Sequence, residues 1–277
     1  MDMPKRRLTN LFSIEKPILS APMAFAAGGH LAAAVTKAGG LGFVGGGYGD
    51  RTWIEEQLKH ARGQKIGIGF ITWAIEEKPD LIEWAIDKHP SAIMLSFGTP
   101  SRLAYKIKDA GITLICQCQN MGHVHDALEA GADAVIAQGS EAGGHGAKRG
   151  TFTLVPESAD LIARSSPDTV LVAAGGIADG RGMAAALALG ADGVMLGTRL
   201  WASKEALVAP AHQQAALSDN GDHTIRTHVA DIARQLDWPK GFTARIRNNT
   251  FVRTWHGHED ELRANIDDVA PTYAQNS

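Results

Sequence analysis

Nine consecutive residues carry most of the chemistry this chain can offer: Gln138-Gly139-Ser140-Glu141-Ala142-Gly143-Gly144-His145-Gly146. They follow the apolar run Ala134-Val135-Ile136-Ala137, which reads as a buried strand bounded by a turn signal. Four glycines in nine residues favour neither a helix nor a packed strand, because each forgoes side-chain contacts and costs backbone entropy. What they permit is close approach of the backbone to a flat ligand. Among them stand one imidazole and one carboxylate, groups that move protons near neutral pH. The stretch is expected to be an active-site loop with His145 as its working residue.

Two further stretches suit an anion. Val170-Leu171-Val172-Ala173-Ala174 runs into Gly175-Gly176 and then Asp179-Gly180, and Val194-Met195-Leu196 runs into Gly197-Thr198. Glycines at a strand's C-terminal end expose backbone N–H groups before a helix, the arrangement that holds phosphate, and Thr198 adds a hydroxyl. Ala21-Pro22-Met23 after the first apolar run could floor an aromatic ring, while Gln117 and Gln138 could hydrogen-bond the edge of a heterocycle. The run Gly40 to Gly45 spells GxGxxG, but it follows a helix and contains the strand itself, so a dinucleotide fold is rejected. No P-loop, HExxH or Gly-x-Ser-x-Gly elbow is present. What remains fits a redox cofactor with a phosphate tail.

These residues need a frame that brings strand ends together. A repeated grammar supplies it: an Ala/Leu-rich helix, a glycine suited to a left-handed stop, then a short apolar strand. It recurs at Gly39, Gly111, Gly131 and Gly190, and gives eight candidate strands beginning near Pro17, Leu41, Lys65, Ala92, Thr113, Ala134, Thr169 and Gly193. Helices are expected at 30–38, 51–61, 79–88, 100–110, 121–130, 156–163 and 179–189. Continuous apolar strands imply a parallel sheet covered on both faces, and eight strand-helix units imply an α/β fold of the (β/α)8 barrel type. Loops after the seventh and eighth strands are where such barrels bind phosphate. After Trp201 helices are expected at 207–217, 229–236 and 259–266 without a clear strand, so residues 1–201 read as the barrel and 202–277 as a helical extension packed on it.

Composition narrows the partners. At 277 residues, 44% hydrophobic and 21% charged, the chain is an ordinary globular protein. A net charge of −3 gives no reason to expect nucleic acid or an anionic membrane, and no apolar run approaches a membrane span. Lys5-Arg6-Arg7 reads as a solvated tail. Cys116 and Cys118, the only two cysteines, read as small reduced strand residues, so no structural zinc site is expected and the cytoplasm is the default. Of the other histidines, His60, His89, His123, His125 and His212 read as surface residues, and His30 could reach the barrel mouth.

Ala21-Pro22-Met23, Met94 to Gly98, Gln138 to His145, Ala174 to Gly180 and Leu196 to Arg199 together resemble the nitronate monooxygenase family, formerly 2-nitropropane dioxygenases. The resemblance runs from about Pro17 to about Trp255, and relatives are expected to extend further. It implies a TIM barrel with non-covalent FMN. Pro22 and Met23 would lie against the flavin, Gly144, Gly175, Gly176, Gly197 and Thr198 on the ribityl phosphate side, and Gln117 and Gln138 at the ring or ribityl chain. The implied reaction oxidises alkyl nitronates, or nitroalkanes, with O2 to a carbonyl compound and nitrite, with His145 as base or anion holder. Gln117 stands where some relatives place a lysine, and Gly69 where some place an asparagine. Relatives on this scaffold include FMN-dependent NADH:quinone and enoyl-thioester reductases, and a non-catalytic flavin binder is a third class.

Overall fold

The computed structural model describes residues 7–276, and the side chains of 272 and 274–276 are outside the description. Eight parallel strands form the barrel: β1 (Ile18–Ser20), β2 (Gly42–Gly47), β3 (Ile66–Ile71), β4 (Ile93–Ser96), β5 (Leu114–Cys118), β6 (Ala134–Gln138), then, after a short non-barrel strand β7 (Gly144–Gly146), β8 (Val170–Ala174) and β9 (Gly193–Leu196). They pair in the order β1-β9-β8-β6-β5-β4-β3-β2, and a bridge from Leu19 to Leu41 joins the two ends. Each strand starts within one residue of its expected position. The four repeat glycines end helices in the left-handed region, with φ of 93° at Gly39, 69° at Gly111, 74° at Gly131 and 103° at Gly190.

Alternation along the strands sorts the side chains. Leu19, Phe43, Met94, Ile115, Ile136, Val172 and Met195 fill the barrel interior, while Ile68, Leu95, Cys116, Cys118, Val135 and Ala173 pack outward under the helices. One layer nearer the C-terminal ends, the same inward positions hold Ala21, Gly45, Gly69, Ser96, Gln117, Gln138 and Gly197. Hydrocarbon therefore gives way to small and polar groups at the mouth, which is where a ligand can be received.

Arg7 differs from the expected solvated tail, whose other members Lys5 and Arg6 lie outside the described residues. It opens a helix, Arg7–Phe12, that closes the barrel floor with Leu8 fully buried. Its guanidinium donates to the carbonyls of Pro167 and Thr169 at 2.6 Å each and lies 3.4 Å from the buried carboxylate of Asp192. A second difference is the helix expected from Pro156, which spans Thr151–Ser165 with Pro156 inside it. It starts early because the Glu141 carboxylate accepts from the Thr151 N–H at 2.9 and 3.0 Å, satisfying a donor the helix itself leaves open.

Beyond Trp201 lie the helices Pro210–Ser218, Val229–Ala233, Thr250–Trp255, Glu259–Ala264 and Ile266–Asn276, but also two strands that sequence reading missed, β10 (Thr224–Thr227) and β11 (Thr243–Arg247). These pair antiparallel, and β11 pairs antiparallel with β7, Ala244 opposite His145. Thr-Ile-Arg-Thr and Thr-Ala-Arg-Ile-Arg carry the alternation of half-buried strands, yet four or five residues each are too short to stand out. No helix among the described residues is long and apolar enough to cross a membrane.

Candidate active site

His145 sits on β7, one strand of that antiparallel sheet, rather than on a free loop. Two arginines from the extension hold the approach to it. Arg226 donates to the Ser140 carbonyl at 2.9 Å and the Ala142 carbonyl at 3.0 Å, and Arg245 donates to the Ser140 carbonyl at 3.2 Å. Burial, then the like charge of Arg245, brings the Arg226 pKa down to about 10, with Glu141 opposing. A Cβ at Gly146 would lie 2.7 Å from the Arg226 guanidinium, so a side chain there would push that group aside.

The His145 ring stacks on Trp238 with centroids 3.4 Å apart and planes 5° from parallel. Its Nε2 lies 2.9 and 3.0 Å from the two carboxylate oxygens of Asp231, a side chain only 3% exposed. Arg234 donates to the same carboxylate at 2.8 Å. Phe97 meets the imidazole edge-on at 6.3 Å and packs with Trp238 and Phe242. It reaches them from φ 62°, a rare conformation for a bulky residue and a mark of local strain at the mouth.

A directional chain of hydrogen bonds supports β7 from the barrel side. Gln138 Nε2 donates to the His145 carbonyl at 3.0 Å, and Gln119 Nε2 donates to Gln138 Oε1 at 3.0 Å. Gln119 Oε1 stands 3.0 Å from His123 Nδ1, and Asn120 Nδ2 stands 3.1 Å from His123 Nε2. A neutral His123 with its proton on Nδ1 satisfies the side-chain links to Gln119 and Asn120, whereas the Gln119 backbone N–H, 3.3 Å from the same Nδ1, would need a lone pair there. Burial lowers the His123 pKa, with Asp126 opposing, so the neutral form is favoured. The unfolded chain then takes up a proton more readily than the fold as pH falls below 6.5, the ordinary value. Stability is expected to be full above pH 6.5 and to decline below it as the folded-state pKa is approached. In His123→Gln that contribution disappears, read as a flatter urea midpoint against pH.

The remaining candidates gather at the same mouth. Pro22 lies over Gly69, whose Cβ would meet the proline ring at 2.3 Å, which is why no side chain stands at Gly69. A Cβ at Gly45 would meet the Met23 carbonyl at 2.6 Å, so the 22–24 segment crosses β2 and β3 where both strands are bare. Gln117 accepts from Ser96 at 3.1 Å, leaving its amide N–H groups unspent. Gly143 abuts the Thr198 hydroxyl, a Cβ there falling 2.4 Å from Oγ1, and a Cβ at Gly176 would meet Glu141 at 3.0 Å. Thus the loops carrying Gly144, Gly175–Gly176 and Gly197–Thr198 converge. Among the described residues the N–H groups of Gly176, Gly197 and Thr198 bond to no carbonyl.

Some expectations are corrected. The Glu141 carboxylate accepts from the Thr151 N–H and hydroxyl and so serves as a helix cap. Asp179 caps the helix Gly180–Ala188 by accepting from the Arg181 and Gly182 N–H groups at 3.0 and 3.1 Å, so those donors are spent on the chain itself. His30 is exposed and stacks on His60 of the neighbouring helix, 4.8 Å between centroids. His123 is half-buried beneath the mouth. No group of three metal-binding side chains occurs among the described residues.

Comparison with known proteins gives the family. The sequence profile of the family described as nitronate monooxygenase matches residues 5–66 and 71–264. The chain belongs to the nitronate monooxygenase family. Nitronate monooxygenase npaC of Metarhizium robertsii is 36% identical, over 92% of this chain and 79% of that protein. The nitronate monooxygenase of Neurospora crassa is 34% identical, over 84% and 74%. Among solved structures, FabK from Thermotoga maritima superposes with a TM-score of 0.82 at 34% identity, covering 95% of this chain and 80% of that one. Nitroalkane oxidase from Streptomyces ansochromogenes gives 0.76 at 28% identity, covering 91% and 82%. As a member of the nitronate monooxygenase family the chain is an enzyme of the flavin oxidoreductase class.

Proposed function

We propose that this protein binds FMN at the C-terminal mouth of its barrel and oxidises alkyl nitronates with O2 to a carbonyl compound and nitrite. The observation that carries the reading is the convergence of one partly exposed imidazole, His145, with a glycine-lined cradle in a chain of this family.

The residues present fit the cofactor. A Cβ at Gly197 would make ordinary contact with Ala21 at 3.6 Å and the Met23 sulfur at 3.9 Å, and Gly144 has nothing within 4 Å of a notional Cβ. The ring would rest on Pro22 and Met23. The phosphate would take the N–H groups of Gly175, Gly176, Gly197 and Thr198 with the Thr198 hydroxyl. Gln117 and Gln138 would address the heterocycle edge, each with an N–H not committed to the protein. When bound, FMN supplies the redox chemistry and the reaction with O2.

The chain's own residues handle the proton and the exclusion of water. His145 takes the α-proton from a neutral nitroalkane, acidic enough for an imidazole, or holds the nitronate that arrives as an anion. Trp238, Phe97 and Phe242 wall off the ring from solvent on the extension side. O2 and a nitronate or nitroalkane are the small-molecule partners. Cytoplasmic residence is supported by the buried free thiols of Cys116 and Cys118, burial pushing the Cys116 pKa up to about 12.

The test is an aerobic assay of the flavin-loaded protein with propyl-2-nitronate. Nitrite release at a rate indifferent to NADH is the expected result. The likeness to FabK favours a second reading, an NAD(P)H-dependent flavin reductase acting on a quinone or an enoyl thioester. Anaerobic bleaching of the bound flavin by NADH, with no nitrite from the nitronate, would select that reading instead.

A further inference from the structure

We propose that Asp231 is the positioning residue of His145, fixing the imidazole as its Nε2–H tautomer so that Nδ1 is the atom that receives the substrate's α-proton. The inference rests on reading His145 as the base and adds to it a residue 86 positions away in the chain.

An ionised carboxylate only accepts hydrogen bonds. With Nε2 at 2.9 and 3.0 Å from both Asp231 oxygens, that nitrogen must carry the hydrogen. A neutral imidazole has one N–H, so the lone pair stands on Nδ1. Among the described residues Nδ1 makes no hydrogen bond, and the side chain keeps 14% of its surface exposed. The ring cannot readily turn to offer the other nitrogen, because it lies flat on Trp238 and rotation would forfeit both the stack and the carboxylate. Asp231 is itself immobilised at 3% exposure by Arg234, whose charge offsets its burial.

The step balances simply. The substrate's α C–H bond breaks, its electron pair delocalises onto the nitro group to give the nitronate, and the proton goes to Nδ1. The ring is then doubly protonated and positive beside the Asp231 carboxylate, which stabilises the charge as it forms. The proton leaves Nδ1 to water afterwards. A preformed nitronate needs no such transfer, so Asp231 matters for one substrate form and little for the other.

Asp231→Asn is close to isosteric and presents an amide that can place a donor against Nε2, which would move the ring hydrogen to Nδ1. In the flavin-loaded variant kcat/KM for neutral nitroethane is expected to fall about 100-fold, while that for ethyl nitronate changes less than about threefold. Equal losses on both substrates, or no loss on nitroethane, would overturn the proposal. The second readout is independent of turnover: ¹⁵N NMR of histidine-labelled protein, with the His145 signals assigned by their absence in His145→Gln. The wild type is expected to show the Nε2–H tautomer and Asp231→Asn to lose it. An Nδ1–H ring in the wild type would sink the assignment even if the variant does not fold. Failure of the wild type to release nitrite from ethyl nitronate, with the Nε2–H tautomer present, would count against the nitronate reading and leave the positioning role standing.

Discussion

His145→Ala is expected to lower nitrite release from a neutral nitroalkane by about 10³-fold, the scale on which removing a positioned acid–base group acts. Among the described residues, the two nearest candidates to replace it are already engaged. The Glu141 carboxylate is held by Thr151, and His123 is tied at both nitrogens to Asn120 and Gln119. With the anionic nitronate the loss should be nearer about tenfold, because proton abstraction is bypassed and only orientation of the anion is impaired. The substitution also strips a ring from the face of Trp238 and leaves Asp231 to Arg234 alone. A buried acceptor deprived of a partner costs about 1–3 kcal/mol, so unfolding should be recorded beside the rates. His145→Gln keeps a hydrogen-bonding side chain and separates the two effects. Initial-rate assays on nitroethane and its nitronate, normalised to bound flavin, are the measurement.

Gly197→Leu should release FMN while leaving the barrel folded. The φ of Gly197 is −108°, outside the left-handed region, and a Cβ there would meet Ala21 at 3.6 Å and the Met23 sulfur at 3.9 Å, contacts without a clash. A leucine there would fill the ground assigned to the cofactor without displacing the core beneath, where Met195 and Val172 lie one layer down. Affinity is expected to fall by at least about 100-fold, since displaced phosphate donors are hydrogen bonds to a charged group, each worth about 1.5–3 kcal/mol. Equilibrium dialysis with flavin fluorescence reads the affinity, and far-UV circular dichroism checks that the fold persists. Unchanged FMN affinity in a folded variant would remove the cradle from this part of the mouth.

The barrel was legible because its signals are local. A stop glycine followed by a short apolar run marks four of the eight barrel strands, and Gly39, Gly111, Gly131 and Gly190 all adopt the predicted backbone. The Gly-rich loop was legible from composition, and His145 was singled out by its neighbours. Asp231 carried no mark, being one acid in a five-residue helix, 86 positions from the histidine it meets. Trp238 stands beside Pro239, and nothing nearby in the sequence announces the ring it stacks on. Gln119 was overlooked beside Gln117, though burial makes it the link between His123 and Gln138. These are pairings created by tertiary structure, which a one-dimensional pattern does not encode.

The pairing of β7 with β11, and the grip of Arg226 and Arg245 on Ser140, mean that the imidazole's surroundings come from opposite ends of a long stretch of chain. Both arginines follow the last barrel strand in the sequence, so they leave the ribosome after every strand of the cylinder, whose own closing pair Ile18–Val194 spans still more chain. A nascent chain could therefore finish its cylinder and seat a coenzyme before any base stood ready beside it. Competence would arrive last, in one step, when the hairpin locks down.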